Sequence, residues 1–354
     1  MTARGTLAAA LLLLLASCAR PERGAPGAAA ADPSPHRAGF VQVNGVRLAY
    51  LDWGGHGPGL LLLHGLGDTP HCFDDLAPAL TDRFYVVGLA RRAHGLSERR
   101  GPYDMETLVE DIRQFLDSLG WTQVVLVGHS MAGSEMVRFA ALYPQRVSRL
   151  VFLDATYDYD GPAFADALAH FPLRIESSPH DRTSPEAFRA WFKESTWRDL
   201  PWSPAMEAEI RDVALPRAGG GVDYVMDDTA IAGAFFRGLQ GYRKEYGRVR
   251  APSLAIAGGA DADAMLPPDA PDSLRRKVTA YVQAHALPLA RASLARYRAE
   301  VRGGRLIEMP KTNHYVFLQR PAAVVAAIRD FLEETAPARP PVLRGPAPPA
   351  AQRP

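Results

Sequence analysis

Cysteine is scarce in this 354-residue chain: Cys18 and Cys72 are the whole supply. Two thiols cannot build a disulfide scaffold, and they lack the grouped partners of a structural zinc site. An excess of either charge is also missing. The 40 Lys+Arg balance 39 Asp+Glu, for a formal net charge of +1. Binding to nucleic acid draws on a concentrated basic face, so this balance argues against a nucleic-acid partner. No apolar run approaches the about 20 residues that span a bilayer as a helix. What is present is an ordinary globular composition, 47% hydrophobic and 22% charged, with Pro and Gly gathered toward both ends.

The N-terminal segment reads as an address. Arg4 precedes an apolar run from Leu7 to Ala16, followed by Ser17 and Cys18. A short basic start, a brief greasy stretch and small residues are the marks of a secretory signal, here residues 1–17. Leu15-Ala16-Ser17-Cys18 resembles the lipobox of bacterial lipoproteins. That resemblance implies cleavage before Cys18, acylation of its sulfur and new amino group, and a stable membrane anchor, since two or more acyl chains hold where one does not. Ala19 stands where inner-membrane-retained lipoproteins often carry Asp, which implies the outer membrane, facing the periplasm. Residues 18–38, rich in Ala, Pro and Gly, read as a tether. Residues 336–354 hold seven Pro and three Arg with no acid and read as an extended, solvated tail. One domain, residues 39–335, remains between them.

Within it, Phe40–Val43, Asn44-Gly45 and Val46–Leu51 predict a hairpin, because Asn-Gly suits a two-residue primed turn. Strand-like runs follow at Leu60–Leu63, Phe84–Leu89, Val124–Val127, Leu150–Leu153, Ser253–Ala257 and Arg305–Glu308. Helical patterns lie near 72–80, 104–119, 131–142 and 321–334, with a further long helical stretch at about 273–302. Continuous apolar strands separated by helices predict a mostly parallel sheet covered on both faces, an α/β architecture with an antiparallel edge. From about 155 to 248 strand signals stop and the pattern is helical. This stretch reads as an inserted cap over the carboxyl ends of the strands, the usual ligand side.

The strand ending at Val127 runs into Gly128-His129-Ser130-Met131-Ala132-Gly133 and then a helix. This motif in this context resembles the nucleophile elbow of the α/β-hydrolase fold superfamily, with Ala132 in place of the second Gly of G-x-S-x-G. The resemblance extends over residues 40–334 and implies a cofactor-independent, metal-free serine hydrolase. Ser130 is then the nucleophile. His314, in Thr312-Asn313-His314-Tyr315 before the last helix, is the general base. His64-Gly65-Leu66-Gly67 matches the loop that supplies half of the oxyanion hole, so the amides of Leu66 and Met131 would hold the developing negative oxygen. His64 and His129 read as loop-shaping neighbours. Arg91-Arg92-Ala93-His94-Gly95-Leu96-Ser97 resembles the family's G-x-G-x-S loop, a topological marker with no assigned chemistry.

The acid has two candidates. Asp261, in Gly258-Gly259-Ala260-Asp261, occupies the commoner position after the next-to-last strand, although 53 residues separate it from His314. Asp154 ends an earlier strand, where some relatives carry the acid. Asp261 is the first choice and Asp154 the alternative, with Asp263 behind them. In the expected cap, Phe188, Trp191, Phe192, Trp197 and Trp202 would either roof an apolar substrate or pack a cap helix onto the core.

The reaction implied is cleavage of a small or medium hydrophobic ester by a carboxylesterase or small lipase, through an acyl-enzyme on Ser130. A Ser nucleophile argues against dehalogenase and epoxide hydrolase chemistry, which use Asp there. C–C bond hydrolases, amidases, thioesterases and cofactor-free haloperoxidases keep the Ser and stay open. So does a non-catalytic lipoprotein that binds partners through the fold.

Overall fold

The computed structural model describes residues 35–174, 177–195, 200 and 202–335. The signal segment, the lipobox with Cys18, the tether up to residue 34, Trp197 and the Pro-rich tail lie outside the described residues.

Among the described residues, ten strands and ten α-helices follow one another. The hairpin β1 (Arg37–Val43) and β2 (Val46–Gly55) turns at Asn44 and Gly45, whose φ of 45° and 74° suit Asn and Gly. Then come β3 (Gly59–Leu63), β4 (Tyr85–Leu89), α1 (Met105–Ser118), β5 (Val124–His129), α2 (Ala132–Leu142) and β6 (Val147–Leu153). The stretch between the sixth and seventh sheet strands carries α3 (Pro162–Ala169), α4 (Pro185–Ser195), α5 (Pro204–Val213), a small pair β7 (Leu215–Pro216) and β8 (Val222–Asp223), and α6 (Thr229–Gln240). The chain closes with β9 (Ser253–Gly258), α7 (Asp272–Tyr281), α8 (Leu287–Glu300), β10 (Arg305–Met309), α9 (Val316–Gln319) and α10 (Pro321–Glu334).

The main sheet has eight strands in the order β1-β2-β4-β3-β5-β6-β9-β10. From β4 to β10 all neighbours are parallel, and β2 joins β1 and β4 antiparallel. The strand alternation explains its two covered faces. Leu61, Leu63, Leu126 and Phe152 point to one face and pack with α1 and α2. Leu60, Leu62, Val125, Val127 and Val151 point to the other and pack with Val324, Ile328 and Phe331 of α10. Each such side chain, fully buried, contributes about 1.5–3 kcal/mol. Helix α1 shows how local sequence sets an element. Asp104 caps it by accepting from Thr107 N–H at 3.0 Å. Leu108, Ile112 and Phe115 repeat at helical spacing toward the sheet, and Gly120 with φ 69° turns the chain away at the far end.

Two helical expectations differ in detail. The helix expected near 72–80 is a pair of 3₁₀ turns, Pro70–Phe73 and Ala77–Leu80. Pro78 has no N–H for an α-helical bond to Asp74, so one continuous helix cannot form. The stretch at 273–302 is α7 and α8 joined by a π-helical turn, Val282–Ala286. Pro288, at the second position of α8, lacks the N–H that would bond to residue 284, and the wider turn accommodates the loss.

Candidate active site

The chain reverses sharply between β5 and α2, and Ser130 sits at the reversal with φ 56°. That left-handed conformation costs a non-Gly residue of order 1–3 kcal/mol, so it persists only where packing dictates it. Its neighbours show why they are small. A Cβ on Gly133 would stand 1.9 Å from the carbonyl oxygen of Ala155, and one on Gly128 would stand 2.9 Å from the Cβ of Ala132. Ala132 is fully buried and fits because Gly128 facing it has no side chain. The departure from G-x-S-x-G is thus absorbed one turn earlier.

His314 arrives from the loop after β10. Its Nε2 lies 2.8 Å from Ser130 Oγ and its Nδ1 lies 2.6 Å from Asp154 Oδ2. Pairing fixes the tautomer: Nδ1–H donates to the carboxylate, leaving Nε2 to accept the serine proton. Asp154 follows β6 directly, with φ 44°. This turn carries its carboxylate across the end of β9, where Oδ1 accepts from Gly258 N–H at 2.9 Å and Oδ2 from the Tyr157 hydroxyl at 3.2 Å. The carboxylate is buried, whereas His314 is partly open to solvent.

The first-choice acid is therefore corrected. Asp261 does not meet His314: its Oδ1 accepts from the N–H groups of Asp263 and Ala264 at 2.9 and 3.1 Å, closing a local turn. A carboxylate spent on two adjacent amides is not aimed at an imidazole one strand away. Asp263, the third candidate, pairs instead with Arg275 at 2.8 Å. The alternative, Asp154, is the residue the structure brings to His314.

The loop after β3 that carries Leu66 is held in place from several sides. Arg91 donates to the carbonyls of His64 at 2.7 Å and Gly65 at 3.0 Å, while its Nε donates to Glu135 on α2 at 2.9 Å. The marker loop thus ties the Leu66 turn to the helix that begins after Met131. Met131 opens the first turn of α2, where backbone N–H groups have no partner within the helix. Gly67 has φ 84°, and a Cβ there would stand 2.5 Å from the Tyr224 hydroxyl, so the β6–β9 segment closes directly over this turn. Asp68 accepts from the Tyr315 hydroxyl at 3.0 Å, and Glu209 of α5 accepts from Thr69 N–H at 2.5 Å.

Both neighbouring histidines are buried and depressed. Burial first, then the adjacent Arg91, hold His64 well below the ordinary imidazole value. His129 lies 4.5 Å from His314 between ring centroids, and its Nε2–H donates to the His314 carbonyl at 3.1 Å. Burial first, then repulsion from His314, lower its pKa. A positive charge on the ring beside His314 is thereby disfavoured.

Three residues the sequence did not flag adjoin the site. Tyr159 places its hydroxyl 3.4 Å from Ser130 Oγ, and burial keeps that phenol protonated far above the ordinary range. Tyr157 touches the acid. Lys244, buried under the Tyr159 ring at 4.8 Å, donates to the Tyr157 carbonyl, and desolvation pushes its ammonium down to about 7. The only hint in the sequence is that both tyrosines follow a strand end within five residues of Asp154. The aromatic group resolves toward packing: Phe188, Trp191 and Phe192 are buried together, with Tyr315 and Leu318 against them. Trp202 is half-buried and donates to Glu207 at 3.1 Å. Among the described residues, two groups elsewhere have the composition of metal ligands, His36 with His71 and Asp74, and Asp166 with His170 and His285.

Residues 58–321 match the family described as alpha/beta hydrolase fold; the chain belongs to that family. A human serine hydrolase-like protein is 37% identical over 111 residues, which is 30% of this chain and 55% of that protein. Human epoxide hydrolase 4 is 32% identical over 199 residues, 54% of this chain and 50% of its own. The chain thus spans about half the length of either curated relative. Among solved structures, E-2-(acetamidomethylene)succinate hydrolase superposes with a TM-score of 0.65 at 22% identity, covering 84% of this chain and 99% of that one. That likeness is one of fold.

Proposed function

We propose that the chain is a serine carboxylesterase or small lipase that cleaves small or medium hydrophobic esters through an acyl-enzyme. One observation carries this reading: the unbroken hydrogen-bond path from Ser130 Oγ through His314 to Asp154. In this scheme His314 Nε2 takes the Ser130 proton as Oγ bonds to the ester carbonyl carbon. The carbonyl oxygen becomes an oxyanion beside the amides of Leu66 and Met131, each such donor worth about 3–4 kcal/mol in the transition state. Asp154 orients the imidazole and stabilises its cation. His314 then protonates the departing alcohol, and water repeats the cycle to release the acid.

The human epoxide hydrolase 4 match does not redirect the reading, because Ser130 stands where an alkyl-enzyme route needs a carboxylate. Tyr157, Tyr159, Tyr224 and Met226 near the serine and the oxyanion turn favour an apolar acyl group over a charged one. The test is Ser130→Ala. Hydrolysis of p-nitrophenyl esters and labelling by a fluorophosphonate are expected to disappear together, and undiminished ester turnover in that variant overturns the assignment. We further propose that acylated Cys18 anchors the chain to the bacterial outer membrane, on its periplasmic side.

A further inference from the structure

We propose that His36, His71 and Asp74 form a binding site for a first-row divalent transition-metal ion such as Zn²⁺, with Asp212 as the outer carboxylate that orients one imidazole. The residues come from three separate parts of the chain. His36 lies immediately before β1. His71 belongs to the 3₁₀ turn Pro70–Phe73 that follows the oxyanion loop, and Asp74 ends it. Asp212 lies on α5 of the β6–β9 segment.

The distances suit one small ion. His36 Nε2 is 3.6 Å from Asp74 Oδ1, and His71 Nδ1 is 2.8 Å from Asp74 Oδ2. One donor atom from each of the three residues lies within 4.8 Å of both others. Nitrogen and oxygen ligands at about 2.0–2.2 Å from Zn²⁺ stand roughly 3.3 Å apart in a tetrahedral shell, a spacing that the 2.8 and 3.6 Å separations to the Asp74 carboxylate bracket. With Nδ1 on the ion, the Nε2–H of His71 faces Asp212 Oδ2 at 3.5 Å. A carboxylate behind a ligating imidazole is the common way its tautomer and orientation are fixed.

Burial and charge point the same way. The side chains of His36, His71 and Asp74 are only 6%, 7% and 2% exposed. Asp74 Oδ1 is buried without a hydrogen bond, an acceptor oxygen facing an imidazole at ion-pair distance. Asp212 and Asp68 both repel Glu209 electrostatically, so carboxylates gather on this side of the turn, and a divalent cation offsets them. The exposed group Asp166, His170 and His285 makes a useful contrast. Its two imidazoles stack 4.4 Å apart and 8° from parallel, and the side chains of Asp166 and His170 are more than half exposed.

The consequence of binding would be structural. The ion would join the residues just before β1, the turn behind Leu66 and the segment that closes over it. The inference rests on these residues and not on the esterase reading. Its readout is metal binding, which Ser130→Ala should leave unchanged.

The full chain, stripped with a chelator, is titrated with Zn²⁺ against a metallochromic indicator. One tightly held ion is expected. His36→Gln and Asp74→Asn should each weaken it by about 100-fold, and Asp212→Asn by about 10–100-fold, the usual effect of losing an outer-shell partner. The double variant His170→Gln/His285→Gln should bind as wild type does. Zn²⁺ should raise the unfolding temperature of wild type and of that double variant, but not of His36→Gln, which lies outside every helix and strand and is the variant least prone to misfolding. Absence of binding to wild type, binding that survives His36→Gln, or binding that vanishes in the His170/His285 pair would each overturn the site.

Discussion

At the scale of single residues, the difference between Asp154 and Asp261 is one of backbone direction. Both follow strands at the same end of the sheet, Asp154 directly after Leu153 and Asp261 after Gly259 and Ala260, and neither spacing by itself says which carboxylate reaches the imidazole. The left-handed turn at Asp154 and its bond to Gly258 N–H send one carboxylate toward His314. The Asx-type turn at Asp261 folds the other back on its own loop. Ser130 and His314 were legible because each sits in a motif whose neighbours are also constrained. The acid was only half legible, and Tyr159 was invisible, because their placement depends on where two non-adjacent strands end. Asp154→Asn is expected to lower kcat for ester hydrolysis by about 10⁴-fold, through the wrong imidazole tautomer, with little change in KM. Asp261→Asn should stay within a few-fold of wild type. Steady-state kinetics on the two purified variants decides the matter.

Between elements, the contact that joins α5 to the oxyanion loop is a buried carboxylate. Glu209 Oε1 and Oε2 accept from the N–H and hydroxyl of Thr69, three residues beyond Leu66. Removing it by Glu209→Ala leaves two buried donors without an acceptor, which costs about 1–3 kcal/mol. The unfolding midpoint in urea should fall, and kcat should fall more than KM rises. Burial first, then Asp68, holds the Glu209 carboxyl well above its ordinary value. For an acid raised in this way, the folded state keeps a proton that the unfolded chain gives up. Its contribution to stability is complete below the unfolded value, about pH 4.3, and declines as pH climbs through the folded one. Glu209→Gln, which stays neutral, should therefore gain stability relative to wild type as pH increases over that window. Urea titrations of both proteins across the window check the sign. None of this pairing was readable from the sequence, where Glu209 is one acid among many on an amphipathic helix. By contrast, the Asn-Gly turn and the continuous apolar runs placed all eight strands of the main sheet, and helical spacing placed α1, α2 and α10, because burial on both faces leaves apolar runs that turns must interrupt.

For the molecule as a whole, the described residues begin just before β1 at one edge of the sheet, and the lipid proposal concerns the sequence that precedes them. If Cys18 carries the acyl chains, the wild-type protein expressed in a Gram-negative host should sediment with outer membranes and gain the mass of a triacylated cysteine. Cys18→Ala should lose both properties, since one or no acyl chain does not hold a protein at a bilayer. A wild-type protein found wholly in the soluble periplasm would exclude the anchor. The site itself draws Ser130 and Asp154 from the adjoining strands β5 and β6, paired through His129 and Leu153, and only His314 from beyond β9. If the proposed mechanism holds, the connection from β9 to β10 with its helices α7 and α8 supplies only His314's approach and not the acid, so substitutions within those helices should alter stability rather than proton transfer.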